Sequence, residues 1–119
     1  AIAVANGTDA LRIAMDAIGI GPGDEVITVG FTFVSSVEPV VQTGATPVLV
    51  DIDPATFMID PARIEAAVGP RTKAILPVHL FGGIAPMGPI LDIAERHALH
   101  VLEDAAQAIG ALSGGRSAG

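Results

Sequence analysis

The sequence predicts an α/β protein built in three layers, a predominantly parallel sheet with helices on both faces. Short apolar runs alternate with segments whose apolar residues recur at helical spacing, and the connections between them are short. Polar or aromatic residues repeatedly follow the carboxyl ends of the apolar runs. With right-handed crossovers those residues gather along one edge of the sheet, where α/β folds bind ligands.

Taken in order, Ala1 to Ala5 reads as a small apolar strand, and Ala10, Leu11, Ala14, Ala17 and Ile18 as the buried face of a helix. Asn6-Gly7-Thr8 is then a strand-to-helix turn, with Thr8 as N-cap, Asp9 at the positive end of the dipole and Gly19 as terminator. Such a turn offers free backbone N–H groups to an anion, a phosphate for instance. The alternative is that Gly7 only permits the turn and Thr8 only caps. The glycines of Gly19-Ile20-Gly21-Pro22-Gly23 end a helix and lead into a strand, the wrong context for a dinucleotide fingerprint.

Glu25 to Val29 is the second strand. Ser35 or Ser36 is expected to cap a following helix through Val37, Val40 and Val41, with Pro39 in its first turn and Gly44 at its end. Phe31 and Phe33, two of only four aromatics, leave the strand's carboxyl end, where a ring can stack on a flat ligand or simply join the core. Pro47 to Val50 is the third strand. Asp51 and Asp53 after it either hold Mg²⁺, as in phosphatases of the haloacid dehalogenase type, or belong to a type I turn at Asp53-Pro54, which the residues favour.

Asp60-Pro61 starts a helix with an N-cap and an N1 proline, and Ile64, Ala67 and Val68 form its buried stripe. Ala74 to Val78 is the fourth strand. His79 leaves it without a second ligand at metal-binding spacing, and reads as a hydrogen-bonded structural histidine. Pro89 opens a helix with Ile90, Leu91, Ala94 and His97 inward, Val101 to Glu103 is the fifth strand, and Ala111 to Gly115 starts a hairpin or tail. The fifth strand ends in Glu103-Asp104, with Gln107 three residues on, so Asp104 is expected to face the ligand crevice.

Composition narrows the function. With 119 residues, 50% of them hydrophobic, the chain is long enough to bury a core as one domain. The net charge of -7 and the absence of Tyr and Trp argue against nucleic acid as a partner. No cysteine is present, which excludes disulfides, thiolate metal sites and a thiol nucleophile. No apolar run approaches the roughly 18 residues of a membrane span, so the expectation is a cytoplasmic protein without membrane contact.

Several of these segments occur in the order found in one family. Asn6-Gly7-Thr8-Asp9-Ala10-Leu11, Gly21 to Ile27, Phe31-Thr32-Phe33-Val34, Gly44 to Val48, Pro77-Val78-His79-Leu80-Phe81-Gly82 and Glu103-Asp104-Ala105-Ala106-Gln107-Ala108 together resemble the DegT/DnrJ/StrS family. These are fold type I, pyridoxal-phosphate-dependent enzymes, mostly nucleotide-sugar aminotransferases. The resemblance implies that Gly7, Thr8 and the amide of Asp9 bind the cofactor phosphate and that Phe33 stacks on the pyridine ring. It further implies that Asp104 pairs with the ring nitrogen and Gln107 with the phenolic oxygen.

On this reading residues 1–119 are part of the large cofactor-binding domain, truncated at both ends, of a parent homodimer that moves an amino group, with glutamate as donor, to a nucleotide-linked keto-sugar. The lysine that bonds the cofactor is expected after Gly119, so the fragment alone is expected to be inactive. Lys73, the sole lysine, precedes the fourth strand at its amino end. Three other readings stand beside it: a Mg²⁺-dependent phosphatase or phospho-acceptor built on Asp51 and Asp53, a sugar dehydratase of the same family with histidine in place of the lysine, and a non-catalytic regulatory relative.

Overall fold

The computed structural model describes residues 1–119, which form a four-stranded sheet between two helical layers. In chain order the elements are α1 (Gly7–Ala17), β1 (Glu25–Val29), α2 (Glu38–Gln42), β2 (Thr46–Val50), α3 (Pro61–Ala67), β3 (Thr72–Ile75), α4 (Met87–His97), β4 (His100–Val101) and a small antiparallel hairpin, β5 (Leu112–Ser113) with β6 (Arg116–Ser117). The sheet order is β2-β1-β3-β4 and every pairing is parallel. The expected three-layer parallel architecture is therefore present.

Local chemistry explains most element boundaries. The Asp60 side chain accepts a hydrogen bond from the Ala62 amide, with Pro61 at the first helical position of α3. Gly19 and Gly44, which follow α1 and α2, have φ of 76° and 83°, the left-handed conformation that lets a chain leave a helix and that glycine adopts without strain. At Gly44 glycine is required twice over, since a Cβ there would lie 2.9 Å from Cγ of Pro22.

Two cores lie on opposite faces of the sheet because adjacent strand residues point opposite ways. Val26, Ala74 and Leu76 join Met15, Ile20, Val40 and Ala45 beneath α1 and α2. Ile27, Val29 and Ile75 join Ile64, Ile90, Ile93 and others beneath α3 and α4. Thr28 is fully buried in the central strand, and its hydroxyl is satisfied by donating to the Leu76 carbonyl at 2.8 Å.

Some expectations need correction. Residues 1–5 form no strand: they are exposed and pair with nothing, and the sheet has four strands rather than five. In α4 the inward residues are Ile90, Ile93 and Ala94; Leu91 is half-exposed and His97 lies outside, where it meets Glu65 at 2.8 Å. Ile93 falls on the helical stripe that Ile90 begins, and Leu91 lies off it. No helix is long and apolar enough to cross a membrane.

Candidate cofactor site

The strand order creates the site. From β1 the chain crosses to β2 on one side, then returns over β1 to β3 and continues outward to β4. The carboxyl ends of β1 and β3 thus flank a topological switch point, where α/β sheets open a crevice. Beyond β3 and β4 the two segments stay paired: the Asp104 amide donates to the Pro77 carbonyl and the His79 amide to the Asp104 carbonyl, each at 2.9 Å. This pairing carries Asp104 to the crevice.

A cavity of about 220 Å³ lies there. Gly7, Thr8, Phe33, Asp104 and Gln107 all line it, together with Thr32 and Ser36, so five of the six residues expected from sequence converge. Asp104 is the sole ionisable side chain in its wall.

Asp9, the sixth, is engaged elsewhere. Asn6, not Thr8, caps α1: its Oδ1 accepts from the Asp9 amide at 2.8 Å and its Nδ2 donates to the Asp9 carboxylate at 3.1 Å. Asparagine caps as well as serine or threonine, and Asp9 three residues on completes a reciprocal pair, so the signal was present in the sequence. The consequence is chemical. Thr8 is released from capping, its hydroxyl has no protein partner, and the amides of Gly7 and Thr8 make no backbone bond. A Cβ built on Gly7 would meet nothing within 4 Å beyond its own helix backbone and chain neighbours, so open space lies above this helix end.

The aromatics divide. Phe33 lines the cavity with two-thirds of its surface exposed, whereas Phe31 leaves it and packs on Phe57 and Phe81, at ring-centroid distances of 5.8 and 6.5 Å. Neither belongs to the core. Phe57 and Phe81 have φ of 63° and 54°, a backbone region that bulky residues rarely adopt.

Asp104 is held from two sides. The Ser36 hydroxyl donates to Oδ2 at 2.7 Å, and the Ala106 amide to Oδ1 at 3.2 Å. Ser36 was expected as a helix cap and is not one: α2 has no side-chain cap, and Ser36 sits in a short 3₁₀ turn, 34–36, before it. Its partner lies 68 residues away, a pairing no local pattern announces. Gln107 accepts from the Phe81 amide at 3.2 Å, leaving its Nε2 without a protein partner.

His79 is fully buried behind this wall. Its Nδ1 accepts from the Ala85 amide at 3.1 Å, which places the proton on Nε2, facing Glu103 Oε2 at 2.8 Å. Fully hydrogen-bonded, it fills the structural role expected of it. Lys73 is exposed near the amino end of β3, away from the crevice.

The profile of the DegT/DnrJ/EryC1/StrS aminotransferase family matches residues 1–119. The chain belongs to this family. It is 57% identical over 119 residues to GDP-perosamine synthase of Caulobacter vibrioides, covering 100% of this chain and 32% of that protein. It is 58% identical to a pleiotropic regulatory protein of Geobacillus stearothermophilus, covering 99% of this chain and 32% of the relative. The crystal structure of NtdA from Bacillus subtilis with bound cofactor PMP superposes with a TM-score of 0.88 at 48% identity, covering 94% of this chain and 26% of that one. The chain thus spans about a third of the length of the curated relatives it matches.

Family membership overturns the phosphatase reading of Asp51 and Asp53. Asp53 does what its sequence favoured: its Oδ1 accepts from the Ala55 amide at 2.9 Å and its carbonyl from the Thr56 amide at 3.2 Å, closing a turn outside the cavity.

Proposed function

We propose that these residues are part of the cofactor-binding domain of a pyridoxal-phosphate-dependent aminotransferase, which moves an amino group from glutamate to a nucleotide-linked keto-sugar. One observation carries the reading. Gly7, Thr8, Phe33, Asp104 and Gln107, from three distant parts of the chain, line one cavity at the sheet's switch point.

The donor set fits the cofactor. The free amides of Gly7 and Thr8, with the Thr8 hydroxyl at the positive end of α1, suit a phosphate. Asp9 supports that end through Asn6 rather than lending its own amide. The exposed Phe33 ring suits stacking on a pyridine, and the free Nε2 of Gln107 suits a phenolic oxygen. Asp104, held by Ser36 and Ala106, suits the pyridine nitrogen. When bound, the cofactor supplies an electron sink for loss of the substrate's Cα proton. Asp104 serves that chemistry by keeping a proton on the ring nitrogen, while Phe33 and the turn at Gly7-Thr8 hold the plane and its far end in one orientation.

The amine that bonds the cofactor comes from outside these residues, since Lys73 lies away from the cavity. We place the parent protein in the cytoplasm as a homodimer. The test uses that full-length protein. Wild type should bind pyridoxal phosphate and transfer an amino group from glutamate to a nucleotide keto-sugar. Asp104→Asn should lower kcat by about 10- to 150-fold, the value of one hydrogen bond to a charged group. Wild-type activity retained in Asp104→Asn would refute the role of Asp104. A second reading, a regulatory relative without catalysis, is favoured by the 58% identity to a pleiotropic regulatory protein. Pyridoxal phosphate binding without amino transfer to any nucleotide keto-sugar would support it.

A further inference from the structure

We propose that Ser36, backed by Thr32, is a positioning residue for Asp104, a two-hydroxyl relay that orients the carboxylate toward the cofactor's ring nitrogen. The proposal rests on the cofactor reading above and adds to it residues that act only through Asp104.

Ser36 is 2% exposed, so its hydroxyl must find its partners inside the protein. It caps no helix. Its two neighbours are Asp104 Oδ2 at 2.7 Å and Thr32 Oγ1 at 2.8 Å. The direction of the relay follows from counting protons. An ionised carboxylate only accepts, so the single Ser36 proton goes to Asp104, and the Thr32 hydroxyl must then donate to Ser36 Oγ. With the Ala106 amide on Oδ1, each carboxylate oxygen has one donor from the protein. The rotamer of Asp104 is thereby settled before any ligand arrives, and the carboxylate still lines the cavity.

The relay also crosses the switch point. Thr32 and Ser36 follow β1, whereas Asp104 follows β4, and these strands lie on either side of β3. Glu103, the adjacent carboxylate in the chain, is occupied elsewhere: it faces His79 and the Gly119 amide. Ser36 and Ala106 are thus the protein groups that set the orientation of Asp104.

The test uses the full-length protein and pyridoxal phosphate labelled with ¹⁵N in the ring. Two quantities are read: the cofactor dissociation constant, and the ¹⁵N chemical shift of the bound ring nitrogen, which reports its protonation. Ser36→Ala should weaken binding by about 10- to 100-fold. It should also move the resonance toward that of a neutral pyridine. Ser36→Thr, which keeps the hydroxyl, should restore both, and Thr32→Val should shift both in the same direction by less. An unchanged affinity and resonance in Ser36→Ala, or a Ser36→Thr as impaired as Ser36→Ala, would overturn the proposal. Should Ser36→Ala fail to fold, Thr32→Val decides: wild-type values in that variant refute the relay. If wild type itself binds no pyridoxal phosphate, it is the cofactor reading that fails, which the variants' behaviour cannot mimic.

Discussion

Replacing His79 by leucine should loosen the wall that carries Asp104 and Gln107 while leaving the cavity lining untouched. The imidazole accepts from the Ala85 amide at 3.1 Å and donates to Glu103 at 2.8 Å, and leucine does neither. Ala85 is 2% exposed, so its N–H would be left buried and unpaired, at a cost of about 1–3 kcal/mol. The Glu103 side chain is 29% exposed and partly recovers its loss from water, so that bond contributes about 1 kcal/mol. Better burial of leucine offsets about 1 kcal/mol. The net loss is about 2 kcal/mol, equivalent to a roughly 30-fold change in a local opening equilibrium. Native-state hydrogen exchange in the full-length protein, read at the amides of Leu102 and Asp104, measures it. These amides bond to Ile75 and Pro77 and hold the β3–β4 extension together. Protection changed by less than about threefold would refute the assignment of His79 as the clamp of this segment.

Two further predictions concern the scaffold. Ile64→Ala, at the fully buried position of α3, should lower unfolding stability by about 2–4 kcal/mol in urea titrations, through lost burial and the cavity left behind. Glu65 joins α3 to α4, and hydrogen bonds from Arg96 and then His97 hold its carboxyl below the ordinary value of 4.5. A carboxyl depressed by folding stabilises above its unfolded pKa and loses that contribution as pH falls through the folded value. Glu65→Gln should therefore lower the urea midpoint slightly at pH 7, with the difference shrinking as pH falls below 4.5. A difference that persists undiminished in acid would show that packing, not charge, is responsible.

Features that depend on near neighbours were legible in the residues. Asp60-Pro61 starts a helix, Gly19 and Gly44 end helices, Glu25 to Val29 is a strand, and the glycines at 114 and 115 turn a hairpin. The errors fell where one local signal competed with another or where a partner was needed. Asn6 outcompeted Thr8 for the cap because its amide both accepts from and donates to Asp9. Ala1 to Ala5 has the apolar composition of a strand but pairs with nothing. Ser36 is a residue type that caps helices, but its hydroxyl is claimed by a carboxylate that follows β4, two strands away.

The sequence alone determined the layered parallel fold and which residue types stand at strand ends, because periodicity, caps and turn residues act over a few positions of chain, and the order of its motifs carried the resemblance to the family. What the tertiary structure decided is which strand ends meet. The order β2-β1-β3-β4 brings Phe33 and Ser36 after β1 to Asp104 and Gln107 after β4, and sets the first turn of α1 beside them. Strand order is settled by crossovers and by burial on both faces of the sheet, energies that sum over the whole chain. For that reason Asp104 could be singled out from its neighbours in sequence, whereas the hydroxyl that holds it had to wait for the fold.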